Sequence, residues 1–313
     1  MSARILVGSC SWTDPSLIAS GRFYPRGVSS AEQRLRYYAT QFPIVEVDST
    51  YYAPPSERNS ELWAARTPEG FVFNVKAFAL LTGHPARVDK LPGWLRGALP
   101  AETLAKKNAY GKDLDAVSTE RLWELHRRAL APLAESGKLG AVLFQFPPWF
   151  TRTRAHADQV RGLREHLPGW PLAVEFRGGG WMDPEAAAGT LRLLEDAGLA
   201  YVSVDEPQGF RSSTPPVVAA TAPLAVLRLH GRNAATWDAP TKAASDRFKY
   251  LYSEAELQEW APQVRTLAGS AAAVHVLFNN NYEDWGMRNA RRMADLLGVD
   301  RGLGQAELDV GGG

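Results

Sequence analysis

Short apolar runs rich in β-branched residues recur along the chain, each followed by a longer stretch in which apolar residues return every three or four positions. The short runs read as strands and the longer stretches as amphipathic helices, so the pattern is one of repeated βα units. Eight strands are predicted, at residues 5–9, 44–48, 71–76, 141–145, 172–177, 200–205, 225–230 and 274–279. Helical segments between them include 31–41, 119–136, 184–197, 253–267 and 287–297. Eight parallel strands with intervening helices close most simply into a barrel. The expected architecture is therefore a single (β/α)8 TIM-type barrel of class α/β over residues 1–305, with a frayed C-terminal tail over 306–313. An open doubly wound sheet competes with it, but the first βα turn lacks the phosphate-binding glycine fingerprint of that fold. One connection breaks the rhythm: an insertion at about 78–138, after the third strand, whose first half is rich in Pro, Gly and Lys. Loops of that length are usually functional or disordered. Following a barrel strand, it is expected over the active face, either as a substrate lid or as a passive surface insertion.

Alternate residues of a barrel strand point to the interior and to the helices. Polar residues fall in same-parity pairs along these strands: Glu46 and Asp48, Asn74 and Lys76, Glu175 and Arg177, Ser203 and Asp205, Arg228 and His230. Their apolar neighbours cover the helix side, which predicts that the polar set points inward. The pairs also crowd the carboxyl end of each strand, the catalytic face of such barrels. Burying so many ionisable groups is costly unless they pair or act. The competing structural reading is that Glu46, Asp48, Lys76, Glu175, Arg177, Asp205 and Arg228 merely neutralise one another as an ion-pair network.

Composition narrows the function classes. The 35 Lys and Arg residues against 34 Asp and Glu leave a net charge of +1, so no global field draws the chain onto nucleic acid or an anionic membrane. The single Cys10 excludes an intramolecular disulfide framework and any multi-cysteine metal site, which fits a reducing, cytoplasmic setting. The short apolar run before Trp12 is too brief for a signal peptide or a membrane span. Nothing in the sequence points to a membrane or to a protein partner.

The loops after the strands carry recognition chemistry: Ser9 to Trp12, Ser49 to Tyr52, Gln145 to Trp149, Trp181, His230 to Asn233, Trp237 and Asn279 to Tyr282. In that order, Gly8-Ser9-Cys10-Ser11-Trp12, Val45-Glu46-Val47-Asp48-Ser49-Thr50-Tyr51-Tyr52, Phe73-Asn74-Val75-Lys76-Ala77 and Leu143-Phe144-Gln145-Phe146-Pro147-Pro148 stand in the first half of the chain. Val174-Glu175-Phe176-Arg177 before Trp181, Asp205-Glu206-Pro207, Arg228-Leu229-His230-Gly231-Arg232-Asn233, Tyr250-Leu251-Tyr252-Ser253 and Phe278-Asn279-Asn280-Asn281 before Asn289-Ala290 follow. Over nearly its whole length the chain resembles the family called domain of unknown function 72, also described as YecE-like. That resemblance implies an eight-stranded barrel and carries no established activity. The chain departs from the family's usual pattern at Gly178-Gly179-Gly180, where a bulkier polar residue often follows the arginine, and in its long insertion.

Lys76, Arg177 and Arg228, with His230 and Arg232, supply more positive charge than a neutral sugar needs, so a small anionic substrate is expected, bearing phosphate or carboxylate. Phosphate sites in these barrels often use the loops after the seventh and eighth strands, which points to an anion site at Arg177, Arg228 and His230. The aromatic rim also suits a nucleotide or nucleic-acid fragment. Glu46 or Glu175 is the expected general base, and His230 or Lys76 the acid or electrostatic stabiliser, with Asp205 beside them. Substrate contacts are assigned to Ser9, Trp12, Asp48, Tyr51, Gln145, Arg177, Trp181, Arg228, Arg232, Asn233, Trp237, Tyr250, Asn279 and Asn280. A Schiff base at Lys76 needs a depressed pKa, which Glu46 and Asp48 oppose. No resident cofactor or metal is expected: zinc prefers several His or Cys ligands, although Glu46, Asp48, Glu175 and Asp205 allow a Mg or Mn site. Hydrolytic or lyase-type acid/base chemistry leads. A metal-dependent nuclease or isomerase, a glycoside hydrolase using Glu175 and Asp205, and a non-catalytic anion or nucleic-acid binding protein are the alternatives.

Overall fold

The computed structural model describes residues 3–54, 56–239 and 247–302. The tail expected at 306–313 lies outside the described residues. Eight parallel strands close into a barrel: β1 (Arg4–Ser9), β2 (Ile44–Val47), β3 (Val72–Lys76), β4 (Leu139–Phe146), β5 (Leu172–Phe176), β6 (Ala200–Asp205), β7 (Leu224–Leu229) and β8 (Ala273–Phe278). Each strand lies beside its sequence neighbours, and β8 runs along β1 from the Arg4–Ala273 pair to Ser9–Phe278. The ring is completed at a single residue pair, Ser9–Val45, between β1 and β2. At that seam the backbones approach so closely that a β-carbon on Gly8 would run into the carbonyl oxygen of Ile44.

Helices form where the 3.6-residue pattern predicted them, and their ends are chemically marked. Ser30 caps Ala31–Gln41 in a reciprocal box with Gln33, Thr153 caps Arg154–His166, and Ser253 caps Glu254–Ala268 in a box with Glu256. Each cap gives the first turn's unpaired N–H groups an acceptor. The apolar stripes of these helices pack onto the outward faces of the strands in one large cluster, which includes Val7, Phe73, Phe144, Phe176, Tyr201 and Val274.

The barrel interior is a separate apolar layer containing Leu6, Ile44, Val72, Ala173, Val202, Val226 and Leu277. Reading upward from that layer with a period of two, the inward positions continue to Glu46, Asn74, Glu175 and Arg228 in β2, β3, β5 and β7, as the polar pairs predicted. In β6 the parity is the reverse of the one expected. Ala200, Val202 and Val204 face the interior, while Tyr201 packs with the helices and the Ser203 hydroxyl accepts from the Ala219 N–H. Both faces of β6 are buried, so its alternation carries no polarity contrast by which sequence can orient it.

The long connection divides in two. Its second half is the crossover helix Ala116–Glu135. The first half folds as short 3₁₀ turns, two small helices and a two-residue antiparallel pair, Ala86–Arg87 with Asn108–Ala109. Leu80, Leu81, Val88, Leu91, Leu95 and Ala109 are buried in the same cluster as the outer barrel, so this segment is a packed wall, not a loop hanging free.

The seam makes a sharp prediction. Gly8→Ala should lower unfolding free energy by at least about 1–3 kcal/mol, because the obstacle is main chain and cannot rotate away. Gly162→Ala, in the middle of Arg154–His166 with nothing within 4 Å of its added β-carbon, should be neutral or stabilising by up to about 1 kcal/mol. Urea denaturation of the two variants decides the matter; equal effects would mean that the seam does not constrain closure.

Candidate active site

At the carboxyl end of the barrel interior Arg228 is fully buried, and its guanidinium is held from two sides. Nε donates to Glu46 Oε2 at 3.0 Å and Nη2 to Glu46 Oε1 at 2.5 Å, while Nη1 donates to Glu175 Oε2 at 2.5 Å. Nη2 also faces the Cys10 sulfur at 3.7 Å. This is a bidentate fork on one carboxylate and a single bond to another, the geometry for which guanidinium is suited and ammonium is not. Glu46 and Glu175 are themselves buried. Burial alone would raise Glu175, but Arg228, Arg177 and His230 together outweigh it and hold the carboxyl well below the usual range.

Above this floor opens a cavity of about 270 Å³, lined in part by Asp48, Lys76, Gln145, Arg177, Phe248 and Asn279. Gln145 donates to Glu175 Oε1 at 2.6 Å and Asn279 donates to His230 Nδ1 at 2.8 Å, so both amides are oriented from below. Arg177 donates through Nε to Glu175 at 2.8 Å and through Nη1 to Glu206, and it lies over the Trp237 ring at 5.3 Å. Its Nη2 lies 3.5 Å from His230 Nδ1, and the side chain, 12% exposed, lines the cavity. The turn that follows it runs through three left-handed glycines, and a β-carbon at Gly178 would strike the Arg211 carbonyl. The bulkier residue missing at this point of the sequence has no room here.

Lys76 differs from every other cation in the site. Among the described residues no carboxylate oxygen lies within ion-pair distance of its Nζ and no hydrogen bond is made to it; its near neighbour is the Tyr51 ring, 4.5 Å away. Burial lowers the ammonium's pKa, and Arg228 adds to that, against the pull of Asp48, Glu46 and Glu175. Asp48 and Glu46 oppose the depression, as expected, but desolvation is the larger effect. Asp48, across the cavity, shows the complementary behaviour. Burial and the neighbouring Glu46 raise its carboxyl above the usual range, and its Oδ1 has no hydrogen-bond donor.

Several expected site residues lie elsewhere or do other work. Asp205 points away from the interior because of the reversed parity of β6, and accepts from Arg232 and, at 2.6 Å, from the Tyr252 hydroxyl. Arg232 is further engaged by Glu259, and Tyr250 by Glu256, so both brace the outer loops. His230 is neutral at pH 7: burial first, then Arg177, push it down to about 3. Its Nδ1 accepts from Asn279 and its Nε2 lies 3.2 Å from Glu175 without the alignment of a hydrogen bond, so it is not the acid. Trp181 is a fully buried plug stacked on Phe176 and bonded to the Phe150 carbonyl; Trp12 is buried against Trp63. Ser9 faces outward onto the Tyr38 hydroxyl, and Asn280 ties the last strand's loop to Asn289. Asn233 donates to the Lys249 carbonyl, and Trp237 is buried beneath Arg177. The four carboxylates proposed for Mg or Mn are not brought together, since Asp205 faces out and both Glu46 and Glu175 hold Arg228.

Three participants went unassigned. Glu206 takes the interior place expected of Asp205, bonding Arg177 and accepting from the Thr214 N–H at 2.7 Å. Cys10 continues the inward parity of Leu6 and Gly8, a signal available in the sequence, and burial raises its thiol. His84 comes from the insertion and stands edge-on to Tyr51 with centroids 5.2 Å apart; burial and nearby Lys76 and Arg177 push it down to about 3. No local sequence pattern announces that contact.

A polar site at the carboxyl ends of a closed eight-stranded parallel barrel defines the class, a TIM-type barrel protein. The family model "Protein of unknown function DUF72" matches residues 6–308, and the chain belongs to that family. It is 33% identical over 311 residues to the UPF0759 protein YunF of Bacillus subtilis strain 168, covering 98% of this chain and 99% of that one. Among solved structures it is similar to a DUF72 protein of Enterococcus faecalis V583, with TM-score 0.75 and 26% identity over 97% of this chain and all of the other. A Thermotoga maritima MSB8 DUF72 protein matches with TM-score 0.73 and 30% identity, over 94% and 99% of the two chains. No helix among the described residues is long and apolar enough to cross a membrane.

Two carboxyls of the site, Asp48 and Glu206, are raised to about 7 by burial. At Glu206 burial outweighs the neighbouring Arg177. A raised folded pKa contributes stability that is complete below the unfolded value of about 4.5 and is lost as pH rises through about 7. Glu206→Gln removes this titration, so the variant should gain on wild type between pH 5 and 8 by up to about 1.4 kcal/mol per pH unit. Urea midpoints for both proteins across that range test it; parallel profiles would mean Glu206 is ionised throughout.

Proposed function

We propose that this protein is an enzyme doing acid/base chemistry on a small anionic substrate, with Lys76 and Asp48 as the proton-transfer pair and Arg177 as the substrate's charge anchor. The observation that carries this reading is the contrast between the two layers of the site. The donors of Arg228 and the lone pair of His230 are taken by the protein itself, whereas Lys76 and Asp48 line the cavity, Lys76 Nζ with no hydrogen bond among the described residues and Asp48 Oδ1 with none beyond a 4.0 Å approach to Arg228 Nη2. Buried polar groups are ordinarily satisfied, and unsatisfied ones with shifted pKa values in a cavity are candidates for catalysis. Opposite shifts in Asp48 and Lys76 bring an acid and a base toward neutral pH, where proton transfer is efficient. The anion site expected at Arg228 and His230 therefore moves upward, to Lys76, Arg177 and the amides of Gln145 and Asn279. A cavity of about 270 Å³ and a net charge of +1 favour a small carboxylate or phosphate over a polymeric nucleic acid.

Thermal unfolding at constant ionic strength provides the test. Phosphate or a small carboxylate should raise the wild-type melting temperature in a saturable way, equivalent to about 2.7 kcal/mol at a hundred times the dissociation constant. Arg177→Gln and Lys76→Gln should each weaken the effect at least tenfold in ligand concentration. A wild type indifferent to both anions would sink the anionic-substrate reading.

A further inference from the structure

Taking the mouth as an anion-binding active site, we infer that Lys76 is a covalent nucleophile and that the substrate class is a small oxo acid, whose carbonyl carbon forms a Schiff base with Nζ. The comparison with a buried lysine, Lys138, makes the case, because half-buried Lys76 is treated differently by the fold. The Lys138 ammonium is fully occupied: it donates to the Ala64 carbonyl at 2.6 Å, to the Thr67 carbonyl at 2.7 Å and to the Thr67 hydroxyl at 3.1 Å. That is how this fold stores a lysine for structural purposes. Lys76 has none of these partners, though carbonyls and carboxylates surround the barrel mouth. Its half-buried side chain lines the cavity, with Nζ 4.5 Å from the Tyr51 ring and no carbonyl or carboxylate of the described residues bonded to it, which leaves the nitrogen open to a ligand.

The rest of the cavity supplies what imine formation needs. The Nζ lone pair attacks the carbonyl carbon, the C–N bond forms, and the C=O π pair becomes a hydroxyl on accepting a proton. Nitrogen gives up one of its two protons, the hydroxyl leaves as water when a second proton arrives, and the C=N bond closes as the protonated imine without any change of oxidation state. Asp48 lines the same cavity with a carboxyl whose pKa is raised, so it can deliver a proton to the departing hydroxyl and recover one from nitrogen. Arg177 offers its remaining N–H groups to the substrate's carboxylate or phosphate, which explains why an oxo acid is favoured over a neutral aldehyde. The protonated imine would then withdraw electrons from the adjacent carbon. That places the protein among catalysts of C–C cleavage, C–C formation or decarboxylation.

The experiment uses the intact chain, pyruvate as the probe and sodium borohydride as the trap. Incubation followed by reduction should add one reduced pyruvate adduct per chain by intact mass, mapped to Lys76 by peptide sequencing. Lys76→Arg should abolish the adduct, since a guanidinium does not form the imine, and it preserves positive charge in the mouth. Asp48→Asn should slow trapping at least tenfold at saturating pyruvate. Phosphate, competing for Arg177, should suppress trapping in the wild type. Adducts distributed over surface lysines, or equal labelling of Lys76→Arg, would overturn the proposal. If pyruvate stabilises the wild type thermally yet leaves no adduct on Lys76, the covalent step fails while the anion-binding reading survives. If pyruvate neither stabilises nor labels, both fail together.

Discussion

The arrangement depends on one buried arginine. Arg228 sits inside a closed barrel with no exposed surface, and a solitary guanidinium there would carry a desolvation cost of several kcal/mol. Two carboxylates on distant strands answer it: Glu46 on β2 by a two-point contact and Glu175 on β5 by a third bond. The clamp joins β2, β5 and β7 across the interior, so it fixes the positions of the residues that follow those strands. Asp48 is two residues beyond Glu46, Arg177 two beyond Glu175, and His230 two beyond Arg228. Each inherits its direction from the clamp member below it. The mouth is preorganised by ion pairs one layer down.

Such a clamp is a poor source of stability in itself, because attraction between buried charges does little more than offset their desolvation. Its effect is on orientation and charge. With Arg228 neutralised below, the charged groups lining the cavity are Asp14, Asp48, Lys76 and Arg177. Burial then drives Lys76 and Asp48 in opposite directions, toward forms that can exchange a proton. The ion-pair network occupies the lower layer of the interior, and the reactive mouth proposed above occupies the upper one.

Much of this could be read from sequence, for identifiable reasons. Strands whose outward face meets apolar helices and whose inward face turns polar near the top have a visible alternation, and β2, β3, β5 and β7 were oriented correctly from it. The strand β6 is apolar on both faces up to its end, so parity there rested on Ser203 and Asp205, which serve the outer loops. Glu206, one residue later, was the inward group. Sequence could place Arg228 and His230 at the strand end. It could not tell that their hydrogen-bonding capacity is consumed internally, because that depends on distances across the barrel. Aromatic residues misled in the opposite sense: Trp12 and Trp181 lie in loops rich in recognition residues, yet both are buried packing elements. The His84 contact arises from the fold of the insertion, and no periodicity encodes it.

The central claim is that Arg228 is held by Glu46 and Glu175 and is not available to a ligand. A double-mutant cycle of Arg228→Met and Glu46→Gln, read by urea unfolding, measures it most directly. The account predicts that each single variant loses about 3–5 kcal/mol by leaving a buried charge or acceptor unpaired. The double variant should recover part of that loss, giving a coupling energy of up to about 3 kcal/mol. Additivity within about 0.5 kcal/mol would show that the two groups act independently, and would contradict the account.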